Sequence, residues 1–132
     1  MRVPTILLLA AMTMTAGCSA TAPLSDGGGG GGGGGGGVVT DVQIKDFVFT
    51  PFTVTVRVGG TVRWTNQGAV PHTTTSDDGI WDSGTLSPPA AGSTKGGAFQ
   101  HTFDQPGTYR YHCTLHPPAR YPGFVGTVVV TQ

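Results

Sequence analysis

The sequence predicts an all-β domain, a two-sheet antiparallel Greek-key β-sandwich occupying residues 38–132. Three observations carry that expectation. Short runs alternate apolar and polar residues with period two, the pattern of strands with one buried face. Glycine and proline interrupt these runs at short intervals, as the turns of a sandwich require. β-branched and aromatic residues fill the runs themselves, and helix start and stop signals are missing.

The elements follow in order. Val54, Val56 and Val58 alternate with Thr53, Thr55 and Arg57, and Gly59-Gly60 supplies a turn. Val62, Trp64 and Asn66 then alternate with Thr61, Arg63 and Thr65. Phe99, His101 and Phe103 form the next set and stop before Pro106-Gly107. Tyr109, Tyr111 and Cys113 share one face of the following strand, and residues 125–131, rich in valine and threonine, close the domain. The segment is long enough for one small core and too short for two.

Residues 1–17 read as an export signal of the lipoprotein type. Arg2 gives the positive start, and Ile6-Leu7-Leu8-Leu9-Ala10-Ala11 an apolar stretch too short to span a bilayer. Thr15-Ala16-Gly17-Cys18 resembles a bacterial lipobox, with threonine in place of the usual leucine, and makes Cys18 the lipidated residue. The alternative is an ordinary secretory signal cleaved between Ala16 and Ala20. Residues 27–37 are eleven consecutive glycines, so residues 18–37 read as a lipidated N-terminus and flexible linker. That leash would reach about 65 Å extended and about 25 Å on average. The implied location is extracytoplasmic, tethered to a membrane by lipid, in the periplasm or at the outer cell surface.

Composition narrows the function. Formal net charge is zero, charged residues make up 11%, and there is no basic run, which argues against nucleic acid as a partner. Lipidation of Cys18 leaves Cys113 without a disulfide partner, so the domain must rely on its core and on bound metal.

Cys113 lies in Tyr111-His112-Cys113-Thr114-Leu115-His116. If Tyr109 and Tyr111 face the core, Cys113 does too, at the end of its strand, with its sulfur between the sheets. His116 follows where the chain turns back. His72 comes from the loop after Asn66, its approach stiffened by Pro71. One thiolate and two imidazoles form a soft nitrogen–sulfur donor set suited to copper in an electron-transfer site. Zinc is the nearest alternative, but no general base with the right context accompanies it. A nucleophilic cysteine would lack both an activating helix N-terminus and an orienting third residue. His101 reads as a structural, half-buried histidine, His112 as facing away from the core, and Trp64 and Trp81 as packing residues.

The domain resembles the cupredoxins of the plastocyanin and amicyanin type. The resemblance is carried by Val62-Arg63-Trp64-Thr65-Asn66 with Pro71-His72-Thr73, by Gly107-Thr108-Tyr109-Arg110-Tyr111-His112-Cys113-Thr114-Leu115-His116-Pro117, and by Gly126-Thr127-Val128-Val129-Val130. Phe47-Val48-Phe49-Thr50-Pro51 and Trp81-Asp82-Ser83-Gly84 fit as well. It implies one type 1 copper ion with His72, Cys113 and His116 as equatorial ligands. It further implies a carrier that passes single electrons between redox partners such as a cytochrome or an oxidase; a monomer is expected, and not an enzyme, since His101 and His112 are too few for a further copper cluster. The other function it leaves open is a copper carrier delivering the ion to an oxidase.

The family's weak axial methionine is missing. Met1, Met12 and Met14 are the only methionines. Reading back from Gly126-Thr127-Val128, the methionine slot falls on Phe124, which offers no donor atom. The expectation is a three-coordinate site, with at most a distant carbonyl from Pro71, and a high reduction potential. A Tyr121 oxygen is the other candidate. Phe124 and Pro117 are expected to rim a partly exposed His116 where a partner would dock.

Overall fold

A computed structural model describes residues 37–132. The export signal, Cys18 and the linker up to residue 36 lie outside the described residues. Eight strands follow one another with no helix among the described residues: β1 (Val39–Lys45), β2 (Val48–Thr50), β3 (Thr53–Arg57), β4 (Thr61–Asn66), β5 (Thr75–Ser76), β6 (Ala98–Thr102), β7 (Gly107–His112) and β8 (Val125–Thr131). They form two four-stranded sheets, ordered β2-β1-β4-β6 and β3-β8-β7-β5. The all-β, two-sheet sandwich is therefore as expected.

Its pairing is not wholly antiparallel, and that expectation is corrected. β1 runs parallel to β4, and β3 parallel to β8, while the remaining pairs are antiparallel. The cause is connectivity. β1 and β2 lie in one sheet, the chain crosses to the other for β3, and it returns for β4. A parallel pair needs such a crossover rather than a tight turn. Alternation along a run shows which face is buried and leaves the neighbouring strand unspecified.

The alternation itself holds. Val54 and Val56 in β3, and Val62, Trp64 and Asn66 in β4, are all buried. Val58 departs from the pattern, lying exposed past the end of β3 beside Gly59, whose φ of 83° makes the turn. The middle of the core is aromatic. Trp64 stacks on Trp81 at 5.4 Å, and Tyr111 meets Trp64 edge-on at 5.4 Å and Phe49 at 4.7 Å. Gly126 lies opposite Tyr111 in the β7–β8 register, and a Cβ there would run into the Tyr111 ring. Burial pushes the Tyr111 phenol up to about 12, against a lesser opposing effect of the Trp64 indole. Neither Trp64 Nε1 nor the Tyr111 hydroxyl reaches a partner in bonding geometry. At one end of the sandwich the β1–β2 turn, the loop after β4 and the loop after β7 come together.

Candidate metal centre

Cys113 lies one residue past β7, in phase with buried Tyr111, and is itself fully buried. His116 follows after a bend and is partly exposed. His72 is fully buried in the loop after β4. Its backbone is fixed by a reciprocal pair of hydrogen bonds, His72 N–H to the Leu86 carbonyl at 3.1 Å and Leu86 N–H to the His72 carbonyl at 2.8 Å. Asn66, at the end of β4, braces the same loop. Its amide donates to the carbonyls of Val70 at 3.0 Å and Leu86 at 2.9 Å, and its oxygen accepts from Gly68 N–H at 2.8 Å.

The two ligand loops are also tied to each other. Thr114 N–H donates to Thr73 Oγ1 at 2.9 Å, and the two threonine hydroxyls lie 3.1 Å apart. Thr73 N–H donates to Cys113 Sγ at 3.3 Å. Hydrogen bonding at such a sulfur is one of the levers that set a copper potential.

The three predicted ligands converge. Their donor atoms lie within 4.8 Å of one another. Cys113 Sγ is 3.6 Å from His116 Nδ1 and 4.0 Å from His72 Nδ1. Donors bound to one ion at about 2.0–2.3 Å are separated by about 3.3–3.9 Å, so little movement would close the set on a metal. The environment of His72 fits that role. Its Nε2 lies 3.3 Å from Asp46 Oδ1, so the carboxylate favours a proton on Nε2 and leaves the Nδ1 lone pair free for a metal. Burial lowers the His72 pKa, with the Asp46 hydrogen bond opposing and the His116 charge adding to the shift. The neutral, metal-binding form is the one favoured.

Phe124 is fully buried, its ring 5.0 Å from that of His72 and 6.1 Å from that of His116. It brings apolar surface and no donor. Its burial corrects the expectation that it rims His116 together with Pro117. Pro117 is exposed beside His116 as expected, and the other exposed apolar residues there are Leu115 and Phe47. Tyr121 stacks on Phe47 and stands edge-on to His116 at 5.5 Å.

Asp46 and Phe47 were not legible as site residues. They belong to the β1–β2 turn, far upstream of every ligand, and the parallel β1–β4 pairing carries them there. Asp46 also accepts Ala69 N–H at 2.9 Å. Gly68 keeps the space clear, since a Cβ there would meet Asp46 Oδ1 and His72 Nε2. The other two histidines stay outside the cluster. His101 stacks on Trp81 at 5.3 Å, and His112 points away from the core, its Nδ1 2.6 Å from Asp77 Oδ1.

The family model for copper binding proteins, plastocyanin/azurin family, matches residues 37–131. The chain belongs to that family. As in the cupredoxins generally, its His72, Cys113 and His116 form a site for one type 1 copper ion. The chain is 32% identical to amicyanin-alpha of Methylorubrum extorquens over 109 residues, 83% of this chain and 90% of that protein. It is 41% identical to amicyanin of Paracoccus denitrificans over 75 residues, 57% of this chain and 52% of that protein, so the match spans about half of that relative. Among solved structures, a purple cupredoxin from Nitrosopumilus maritimus superposes with a TM-score of 0.55 at 27% identity, covering 70% of this chain and 99% of that one.

Proposed function

We propose that this cupredoxin is an extracytoplasmic electron carrier that performs no turnover of its own. The observation that carries the reading is the convergence of one buried thiol and two imidazole Nδ1 atoms, with the Cys113 sulfur bonded by Thr73 N–H and the His72 ring by Asp46. Copper bound there would supply one-electron Cu(II)/Cu(I) chemistry. The chain's contribution is stiffness. Cu(I) and Cu(II) prefer different geometries, and a donor set braced by Asn66, Asp46 and the Thr73–Thr114 link changes little between them. Small rearrangement favours fast transfer.

Phe124 is assigned to the axial methionine slot as a non-ligating residue. Its burial against the His72 ring supports this. Pro71 would contribute at most a distant backbone carbonyl, and Tyr121, stacked flat on Phe47, is the weaker candidate for an oxygen donor. Redox partners, such as a cytochrome or an oxidase, would dock where His116 reaches the surface beside Leu115 and Phe47. Lipidation at Cys18, and a tether running to residue 37, would keep the domain near a membrane. That part rests on the sequence of residues 1–37 alone.

The competing role is a copper carrier. Voltammetry of the copper-loaded domain together with a chelator challenge separates the two. Reversible one-electron cycling with copper retained supports electron transfer. Rapid loss of copper to the chelator would favour delivery of the ion.

A further inference from the structure

The β1–β2 turn carries a bulky residue in a backbone conformation that such residues rarely adopt. Phe47 has a φ of 65°. For an aromatic residue this region is strained and persists only where the surroundings impose it. Here they do. Asp46, just before it, is fixed by Ala69 N–H and approaches His72 Nε2. Phe49, just after, is buried in the core against Tyr111 and Phe124. The turn is pinned at both ends, and its strained residue projects a ring over the metal-binding cluster.

That ring lies among four aromatic groups of the site. It stacks on Tyr121 with centroids 4.2 Å apart and planes 8° from parallel. It meets His116 edge-on at 5.1 Å, and lies 6.3 Å from both His72 and Phe124. Tyr121 is held in turn. Its N–H donates to the Pro117 carbonyl at 3.0 Å, and its own carbonyl accepts Phe124 N–H at 2.9 Å. Pro117, Pro118 and Pro122 stiffen this loop further. The stacked pair therefore joins two separately anchored segments across the site.

We infer that Phe47 and Tyr121 form a lid that shuts water and small anions out of a copper site left without a fourth donor by Phe124. The inference rests on the reading of the three ligands and of Phe124 given above. A metal with three donors and an accessible face takes a solvent or anion ligand. An apolar, close-stacked cover removes the room and the polar partners that such a ligand needs. The strain at Phe47 is then retained because it puts the ring where the cover is required.

The test is an azide titration of the copper-loaded domain, followed by absorption and electron-spin spectra, alongside melting curves of the metal-free proteins. Phe47→Gly removes the ring and the backbone strain together. Phe47→Ala removes the ring and keeps the strain. Both variants should bind azide at least about tenfold more tightly than wild type, although Phe47→Gly should melt no lower than Phe47→Ala. Tyr121→Phe keeps the stack and should match wild type in spectrum and azide affinity. Azide affinity unchanged in Phe47→Gly would overturn the lid. So would a shifted spectrum in Tyr121→Phe, which would make the phenol oxygen a ligand. A wild-type protein with no thiolate-to-copper band would instead defeat the underlying copper reading, so the two failures are distinguishable.

Discussion

In the slot proposed for Phe124, where the family carries methionine, a phenylalanine would take away a donor without taking away bulk. Phe124 is packed between Phe49 at 4.7 Å and the His72 ring at 5.0 Å, so a methionine of similar volume should fit with little disturbance. Loss of an axial donor disfavours Cu(II) more than Cu(I) and raises the potential. Phe124→Met should therefore lower it by on the order of 59 mV, the equivalent of a tenfold gain in relative Cu(II) affinity. Voltammetry reads this directly, and an unchanged or raised potential would refute the slot assignment. His101 supports a second expectation. Burial lowers its pKa, with Asp104 opposing. A histidine lowered in the folded state leaves stability untouched well above about pH 6.5, where both states are neutral. As pH falls below that value the unfolded chain takes up the proton first, and stability drops until the folded pKa is passed. Thermal melts at pH 7.5 and pH 5 should show a smaller loss in His101→Gln than in wild type; equal losses would mean that His101 is not held neutral.

At the scale of elements, close packing of β7 on β8 depends on a glycine. Gly126→Ala would place a methyl group inside the Tyr111 ring, which Phe49, Trp64 and Trp81 keep from moving aside. Overpacking of this kind costs about 1–3 kcal/mol, so denaturant melts should show a loss in that range. The contrast between β7 and β1 explains how far the sequence could be read. Cys113 and His116 stand three residues apart at the end of an alternating strand, so strand phase and spacing alone aim both at one point. His72 follows β4 closely enough to be placed at the same end. β1 buries only Val42 and Ile44 fully, and nothing in its alternation says that it lies parallel to β4. That pairing brings Asp46 to Nε2 of His72 and Phe47 over His116. The supporting shell was hidden because strand order was hidden. Counting back from β8 singled out Phe124 for the proposed axial slot but did not give its depth, since a loop residue carries no periodicity to show which way it faces.

For the molecule as a whole, two sheets serve as a frame that closes at one end on three loops. The Asn66 amide, the Thr73–Thr114 link and the Asp46 carboxylate each join segments distant in sequence. The donors are thereby held by tertiary structure as well as by any ion they bind. The central claim is that one sulfur and two ring nitrogens of this frame bind a redox-active copper. The most direct measurement is a paired absorption and electron-spin spectrum of copper-loaded wild type and Cys113→Ser. The account predicts an intense blue thiolate-to-copper band with narrow hyperfine splitting in the wild type and its disappearance in the variant. A colourless oxidised wild type, or a band that survives the loss of the Cys113 sulfur, would contradict it.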